Sequence, residues 1–462
     1  MKRVAFHTLG CKLNFAETST VGRQFTARGF DVVEFSESSD VYVLNTCSVT
    51  NRAEKECRQI IRRIRRQSPE AYIIVTGCYA QLRPEEVQRI EGVDLILGSH
   101  DKFHIFDHER NFEKKPVPDV FVSCIDENSE IEPAYSEDVG GRTRAFLKIQ
   151  DGCDYSCSFC TIPVARGKSR SLPVPYLLEQ AIHLARQGFK EIVLTGVNVG
   201  DFGRATGTSL LSLLKELDRV TGIERIRISS IEPNLLRPEL IDYILQSDKV
   251  CPHFHIPLQS GSDEILQKMQ RRYRRRLYSD LVTSIKLKNP DAAIGVDVIT
   301  GFPGESDRLF LDTFQFLSDL PVSYHHVFTY SERPGTPAAS LPDSVEPRRR
   351  FERSEILRRL SRRKRYEFMS SFVGRTLPVL YESHLRGDRR YGLTPNYIRI
   401  DTESETIRAN EIVPTRITGI DGDGCSGTVQ TTFSHTSGGE TSESSATTLF
   451  HNRPLRSSQV MS

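Results

Sequence analysis

Three cysteines in the run Cys153-Asp154-Tyr155-Ser156-Cys157-Ser158-Phe159-Cys160 stand at the spacing C-x3-C-x2-C. Three thiolates from one tight loop suit iron–sulfur ligation. A four-iron cluster normally takes four cysteines, so a local set of three leaves one iron open to a substrate or cofactor. That asymmetry points to chemistry rather than to electron storage. A second set is scattered along the chain. Cys11, Cys47 and Cys78 follow the apolar runs 4–10, 41–46 and 72–76, each beside a Gly or polar turn residue. If those runs are parallel strands, all three thiols lie at their carboxyl ends, where open parallel sheets bind ligands. Burial as a small hydrophobe is the common fate of a free cysteine. Three at equivalent strand ends favour a second three-thiolate site. Cys57, Cys124, Cys251 and Cys425 are isolated and read as structural.

The elements that position these thiols follow from periodicity. Apolar runs at 4–10, 31–35, 41–46 and 72–76 alternate with helix-periodic segments at 14–28 and 54–67. Such alternation predicts a doubly wound parallel sheet. Residues 111–141 are irregular, with Pro116, Pro118 and an acidic stretch, and read as a linker after an N-terminal domain at 2–110. From 142 the alternation resumes, with strands expected at 145–150, 191–195, 225–229, 253–257, 294–299 and 324–329. Six parallel strands separated by helices suit a partial (β/α)6 barrel, whose sites gather at the carboxyl ends of the strands. A long arginine-rich helix over 347–372 closes this 142–372 domain. Short strands at 376–382, 397–401 and 411–418 predict a small β-barrel at 373–430. The stretch 431–462 is rich in Ser, Thr and Gly and reads as a disordered tail. The fold class is therefore α/β, with a small β-barrel appended.

At 462 residues the chain is too long for one core, and 38% hydrophobic content suffices for several. No apolar run is long enough to span a bilayer, and the start lacks the core of a signal peptide. A cytoplasmic location without membrane attachment is expected. Ten cysteines in such a chain argue for metal ligation over disulfides. The net charge of +2 hides three basic blocks, at 62–66, 271–276 and 358–365. One such block is usually a solvated helix face; three shift the balance toward a phosphate backbone.

At this point the motifs become recognisable. CDYSCSFCTIP (153–163) resembles the signature of radical S-adenosylmethionine (SAM) enzymes. TLGCKLN (8–14), NTCSVT (45–50) and TGCYAQ (76–81) together resemble the methylthiotransferase family, and the terminal β-domain resembles a TRAM domain. The likeness spans about residues 2 to 430. Within the family, GCKLN, HFHIPLQSGSDEIL and YSERPGTPAA are similar to the MtaB type. Members of that type convert N(6)-threonylcarbamoyladenosine in tRNA to its 2-methylthio derivative, at the adenosine 3′ of the anticodon.

The resemblance implies two 4Fe-4S clusters as well as SAM. Cys153, Cys157 and Cys160 would hold the cluster that cleaves SAM to a 5′-deoxyadenosyl radical. Cys11, Cys47 and Cys78 would hold an auxiliary cluster that carries the sulfur. Such chemistry is delegated to cofactors because the C2–H of adenine is neither acidic nor electrophilic. SAM contacts are expected from the turn Thr195, Gly196, Val197 and Asn198, and from Glu232, Gln259 and Asp297. An ordinary strand-to-helix turn or capping residue accounts for each of these equally well. His253 and His255 read as core histidines, and Tyr155 and Phe159 as packing around the first cysteine set. Tyr391, Asn396, Tyr397 and Arg399 are candidates for stacking on a splayed anticodon-loop base, with a half-buried strand aromatic as the alternative, equal in weight for Tyr397. The expected partners are a tRNA anticodon loop and a flavodoxin- or ferredoxin-like electron donor, with the protein itself a monomer. Alternatives are a methylthiotransferase for isopentenyladenosine tRNA or a ribosomal protein, or a non-catalytic RNA-binding protein with zinc. Zinc sites close with four ligands, and no fourth is evident at either set.

Overall fold

The computed structural model describes residues 1–48, 51–125, 130–136, 143–403 and 407–430. The N-terminal sheet is wholly parallel. Its strands lie in the order Asp31–Val33, Arg3–Thr8, Val41–Thr46, Tyr72–Gly77, Leu95–Leu97 and Asp119–Phe121. Val41–Thr46 and Tyr72–Gly77 are buried at every position, as central strands covered by helices on both faces must be. Helices Lys12–Ala27 and Asn51–Gln67 are the crossovers. Phe25 anchors one face against Phe6, Phe30, Phe106 and Phe112. The strand Asp119–Phe121 falls within the stretch read as a linker. Three residues beginning with Asp carry too little periodicity to announce an edge strand.

The central strands form two parallel triplets. Arg225–Ile228, Glu191–Thr195 and Arg144–Lys148 make one; His253–His255, Ala293–Thr300 and Tyr324–Thr329 make the other. Bridges Ile226↔Val250 and Ser230↔His255 join them into an incomplete barrel. Its core is a continuous cluster of Leu, Ile and Val from strands and surrounding helices. The helix Pro347–Ser370 lies along the last strand and buries Leu357 and Leu360.

Five further strands close into a small barrel: Thr376–Arg386, Arg389–Leu393, Arg399–Glu403, Ile412–Asp421 and Gly424–Val429. It caps the amino ends of the central strands. Arg225 donates to the Leu393 carbonyl at 2.8 Å, Arg227 to the Pro395 carbonyl at 2.8 Å, and Arg144 pairs with Glu382 at 2.7 Å. The tail read from 431 onward lies outside the described residues. Among the described residues no helix is long and apolar enough to cross a membrane.

Candidate active site

Cys11, Cys47 and Cys78 follow Arg3–Thr8, Val41–Thr46 and Tyr72–Gly77, which are neighbours in the sheet. Adjacent strands are spaced about 4.8 Å apart, so three consecutive strand ends converge within the span of a small cluster. Cys11 opens the helix Lys12–Ala27, and Cys78 is the first residue of the helix Cys78–Leu82. Two glycines let the turns close this tightly. At Gly10 (φ +105°) a Cβ would stand 2.9 Å from Cys47 Sγ, and at Gly77 (φ +93°) one would stand 2.5 Å from the Thr46 carbonyl. The structure thus brings the scattered cysteines to one crevice.

Cys153, Cys157 and Cys160 lie in the loop after the first central strand, close enough to raise one another's pKa. Burial pushes the thiol of Cys153 up to about 11 and that of Cys160 to about 12. Burial also raises Cys157, against the pull of Arg271, whose Nη1 donates to its sulfur at 3.0 Å. The protein packed around Cys11 raises that thiol too, against Arg166, although its side chain is exposed at the lip of the crevice. Without metal these four thiols stay protonated at neutral pH, and iron must displace the protons on binding.

A chamber of about 550 Å³ lies beside the loop set, against the N-terminal domain. Its walls include Cys157 and Cys160 on one side and Ser48, Glu54 and Leu82 of the N-terminal domain on the other, with Arg333 between. Arg333 comes from the YSERPGTPAA stretch and pairs with the buried Glu54 at 2.8 Å. A second cavity, of about 890 Å³, takes in Cys153, Asp154 and Tyr155 together with the exposed Cys124. The other isolated cysteines, Cys57, Cys251 and Cys425, are buried.

The sequence-predicted SAM contacts fall in two groups. Thr195, Gly196, Val197 and Asn198 form the turn after the strand Glu191–Thr195, and Gln150 Oε1 accepts from the Asn198 N–H at 2.9 Å. Thr195 Oγ1 and both side-chain polar atoms of Asn198 are buried without a hydrogen-bond partner. Buried polar atoms are almost always paired, so these mark a place for a polar ligand. Glu232 pairs with Arg271, which reaches on to Cys157. Gln259 (φ +66°) and Asp297 line a separate cavity of about 200 Å³ that also includes Cys160. Asp297 accepts from His255 Nε2 at 2.9 Å. Three thiols in one loop, with orphaned polar atoms nearby, fit a cluster with an open iron and a polar cofactor on it.

One feature had no sequence signal. Glu17 lies wholly buried between the domains, where Arg166 donates to it at 2.9 Å and Lys148 at 3.2 Å, with Lys102 pairing as well. Arg166 also donates to Asn14 Oδ1 at 2.6 Å and to Asp151 at 3.1 Å. Burial alone would push the Glu17 carboxyl up, but Arg166, Lys102 and Lys148 hold it well below the usual carboxylate range. Asn14 is three residues past Cys11 and Asp151 two before Cys153, so this network backs both cysteine sets.

Two expectations about basic and polar residues need correction. Arg271 belongs to a block read as phosphate-binding, yet it is turned inward onto Glu232 and Cys157. Asn396, a candidate RNA contact, and Tyr397, for which a half-buried position is the equal alternative, are turned toward the central barrel. Asn396 donates to the Asp291 carbonyl at 3.1 Å, and Tyr397 stacks on His253 with centroids 4.5 Å apart. Their loop caps the barrel, which buries Asn396 and leaves Tyr397 half-buried. Tyr391 and Arg399 remain on an accessible face, the guanidinium 4.5 Å from the ring centroid.

Comparison with known proteins agrees with this geometry. Residues 3–98 match the uncharacterized protein family UPF0004, and residues 147–317 match the radical SAM superfamily. The chain is 39% identical over 428 residues to the threonylcarbamoyladenosine tRNA methylthiotransferase MtaB of Bacillus subtilis, covering 90% of this chain and 94% of that protein. It is 40% identical over 407 residues to the protein of that name from Aquifex aeolicus, covering 87% and 97%. A tRNA-2-methylthio-N(6)-dimethylallyladenosine synthase of Acetivibrio thermocellus is 33% identical, covering 82% and 81%. Among solved structures, the radical SAM methyltransferase TsrM of Kitasatospora setae, with cobalamin and a [4Fe-4S] cluster bound, superposes with a TM-score of 0.50. It is 15% identical, covering 73% of this chain and 77% of that one, and the likeness bears on the fold alone.

Proposed function

We propose that this chain, which belongs to the MtaB-type radical SAM methylthiotransferases, converts N(6)-threonylcarbamoyladenosine in tRNA to its 2-methylthio derivative. The modified base is the adenosine 3′ of the anticodon. The cofactors of the family are 4Fe-4S clusters and SAM, and here each set of three cysteines holds its own cluster. Bound there, these groups supply one-electron cleavage of a sulfonium and a sulfur for transfer, neither within reach of amino-acid side chains.

The protein's own residues do the rest. Cys153, Cys157 and Cys160 hold one cluster while leaving an iron position free, with Arg271 donating to Cys157 from the side. The turn 195–198, with the orphaned atoms of Thr195 and Asn198, receives polar groups of SAM. Glu232 pairs with the Arg271 that reaches Cys157, and Gln259 and Asp297 line the cavity that includes Cys160, so all three are offered to SAM as well. Cys11, Cys47 and Cys78 hold the second cluster at the sheet edge, and Arg333 and Glu54 close the side of the chamber beside Cys157 and Cys160. The observation that carries this reading is the pair of thiol sets, one in the loop 153–160 and one at three neighbouring strand ends, Cys11, Cys47 and Cys78, as a substrate that is first activated and then given sulfur requires.

The tRNA is held through the terminal β-barrel, where Arg399 and Tyr391 offer a cation and a ring for an unstacked base. Exposed Arg62, Arg63 and Arg66 on the N-terminal domain add phosphate contacts. An electron donor of flavodoxin or ferredoxin type reduces the clusters, and the protein acts as a monomer in the cytoplasm. The relatives of MtaB name, at 39% and 40% identity, favour threonylcarbamoyladenosine over the dimethylallyl substrate of the 33% relative. Mass spectrometry of tRNA nucleosides from cells lacking and regaining the gene tests the substrate. Loss and recovery of 2-methylthio-N(6)-threonylcarbamoyladenosine is expected. Loss of the isopentenyl analogue instead would overturn the substrate, and no change in either would overturn the tRNA reading.

A further inference from the structure

Away from the cysteine sets, two imidazoles and a carboxylate converge at the join between the N-terminal domain and the central barrel. His100 and His104 stand four residues apart across the helical turn Asp101–His104, with ring centroids 5.1 Å apart. Glu132, from the segment that leads into the barrel, points one carboxylate oxygen at both rings. That oxygen lies 3.3 Å from His104 Nε2 and 3.8 Å from His100 Nδ1. One ligand atom from each of the three residues falls within 4.8 Å of the others. A tetrahedral ion with bonds of about 2.0–2.1 Å holds its ligand atoms roughly 3.3 Å apart, so modest side-chain rotation closes the set. His100 and Glu132 also border a cavity of about 20 Å³, together with Glu130. That is room for one ion or one water.

A hydrogen bond between Glu132 and one histidine needs neither a second imidazole nor a carboxylate behind the first. Here Asp107 stands 3.4 Å from His104 Nδ1, the ring nitrogen turned away from Glu132. Metal-bound histidines are backed by an outer carboxylate in this way. The cations on the far side of the cavity are engaged with other groups. Arg166 holds Glu17, Lys148 holds Asp151, and Arg170 donates to the carbonyls of Glu130 and Arg166. Two imidazoles with one carboxylate suit a borderline first-row ion, whereas calcium and magnesium take oxygen ligands. We propose that His100, His104 and Glu132 bind a zinc-type divalent ion, with water in the remaining position. Its effect follows from what it joins. In the segment that carries Glu132, the Ser136 N–H donates to the Phe146 carbonyl at 2.8 Å, and the Ala134 carbonyl accepts from the Lys148 N–H at 2.9 Å. Phe146 and Lys148 lie on the first central strand, so the ion clasps the N-terminal domain to the barrel. The site is separate from both cysteine sets and does not depend on the tRNA substrate.

The test uses the anaerobic, cluster-loaded chain dialysed against zinc. Zinc and iron are counted in the same samples, and the zinc environment is read by X-ray absorption. One zinc per chain is expected at unchanged iron content, with nitrogen and oxygen neighbours at about 2.0–2.1 Å and no sulfur at about 2.3 Å. His104→Gln should weaken zinc binding by roughly a hundredfold, and Asp107→Asn by roughly tenfold. The side chains of His104 and Asp107 are 40% and 73% exposed, so neither change opens a core. Zinc should also raise the thermal unfolding midpoint of the natural chain and leave that of His104→Gln in place. Zinc held through sulfur, zinc held as tightly by His104→Gln, or no zinc held at all overturns the proposal.

Discussion

The loop set Cys153, Cys157 and Cys160 and the strand-end set Cys11, Cys47 and Cys78 present three thiols in opposite ways. The first is written in eight consecutive residues, and its geometry is set by one loop. The second is assembled by topology. Its members are 36 and 31 residues apart and meet because their strands are neighbours in a parallel sheet. Their surroundings differ as well. The loop set faces Arg271, itself balanced by Glu232, and the neighbouring Arg272, which donates to the Asp154 carbonyl. The strand-end set leans on Arg166, which belongs to the buried Glu17 network bridging two domains. A local motif tolerates change elsewhere in the fold, whereas an assembled site depends on the docking of whole elements.

The sharpest way to break the comparison is to remove one thiol from each set. Cys157→Ala is expected to abolish release of 5′-deoxyadenosine, and Cys47→Ala to spare it while stopping methylthiolation. Both products are quantified by mass spectrometry in the same reactions. Methylthiolated nucleoside from the Cys47 variant would show that the two sets do not divide the work. Next in size is the support behind the strand-end set. Arg166→Leu strips the guanidinium from a buried carboxylate, which costs about 3–5 kcal/mol. Denaturant unfolding of the metal-free chain should show this loss. The count of iron held by Cys11, Cys47 and Cys78 should fall before that of the loop set.

A smaller effect is expected on the other side. Arg271→Gln removes a charge-assisted hydrogen bond to a thiolate, a change on the order of 2 kcal/mol. SAM cleavage should slow by about tenfold to a hundredfold, with unfolding free energy moving less than in Arg166→Leu. Equal effects on stability would mean that Arg271 is a structural brace. The smallest change is expected at the RNA-facing barrel. Arg399→Ala should weaken anticodon-loop binding several-fold and flatten its salt dependence by about one phosphate contact. The rate of SAM cleavage without RNA should stay unchanged.

How legible each region was follows from the same contrast. Six-residue apolar runs such as Val41–Thr46 and Tyr72–Gly77 declare buried parallel strands, so the strand-end set was readable once the sheet was drawn. Arg389–Leu393 begins with two arginines and Gly424–Val429 carries two glycines, and neither pattern announces a strand. The Glu17 network was invisible because Glu17 and Arg166 are 149 residues apart, and a Glu in a helix ordinarily reads as solvent-exposed. Asn396 was misplaced for a related reason: residue type and strand propensity do not say which neighbour will cover a face.

The claim on which the rest depends is that two separate cysteine sets each hold a four-iron cluster. Iron and sulfide analysis with Mössbauer spectroscopy, on the anaerobically reconstituted chain and on each triple Cys→Ala variant, tests it directly. The account predicts roughly eight irons in the natural chain and about four in either variant, all as 4Fe-4S clusters. About four irons in the natural chain, with all of them lost when Cys153, Cys157 and Cys160 are removed, would contradict it.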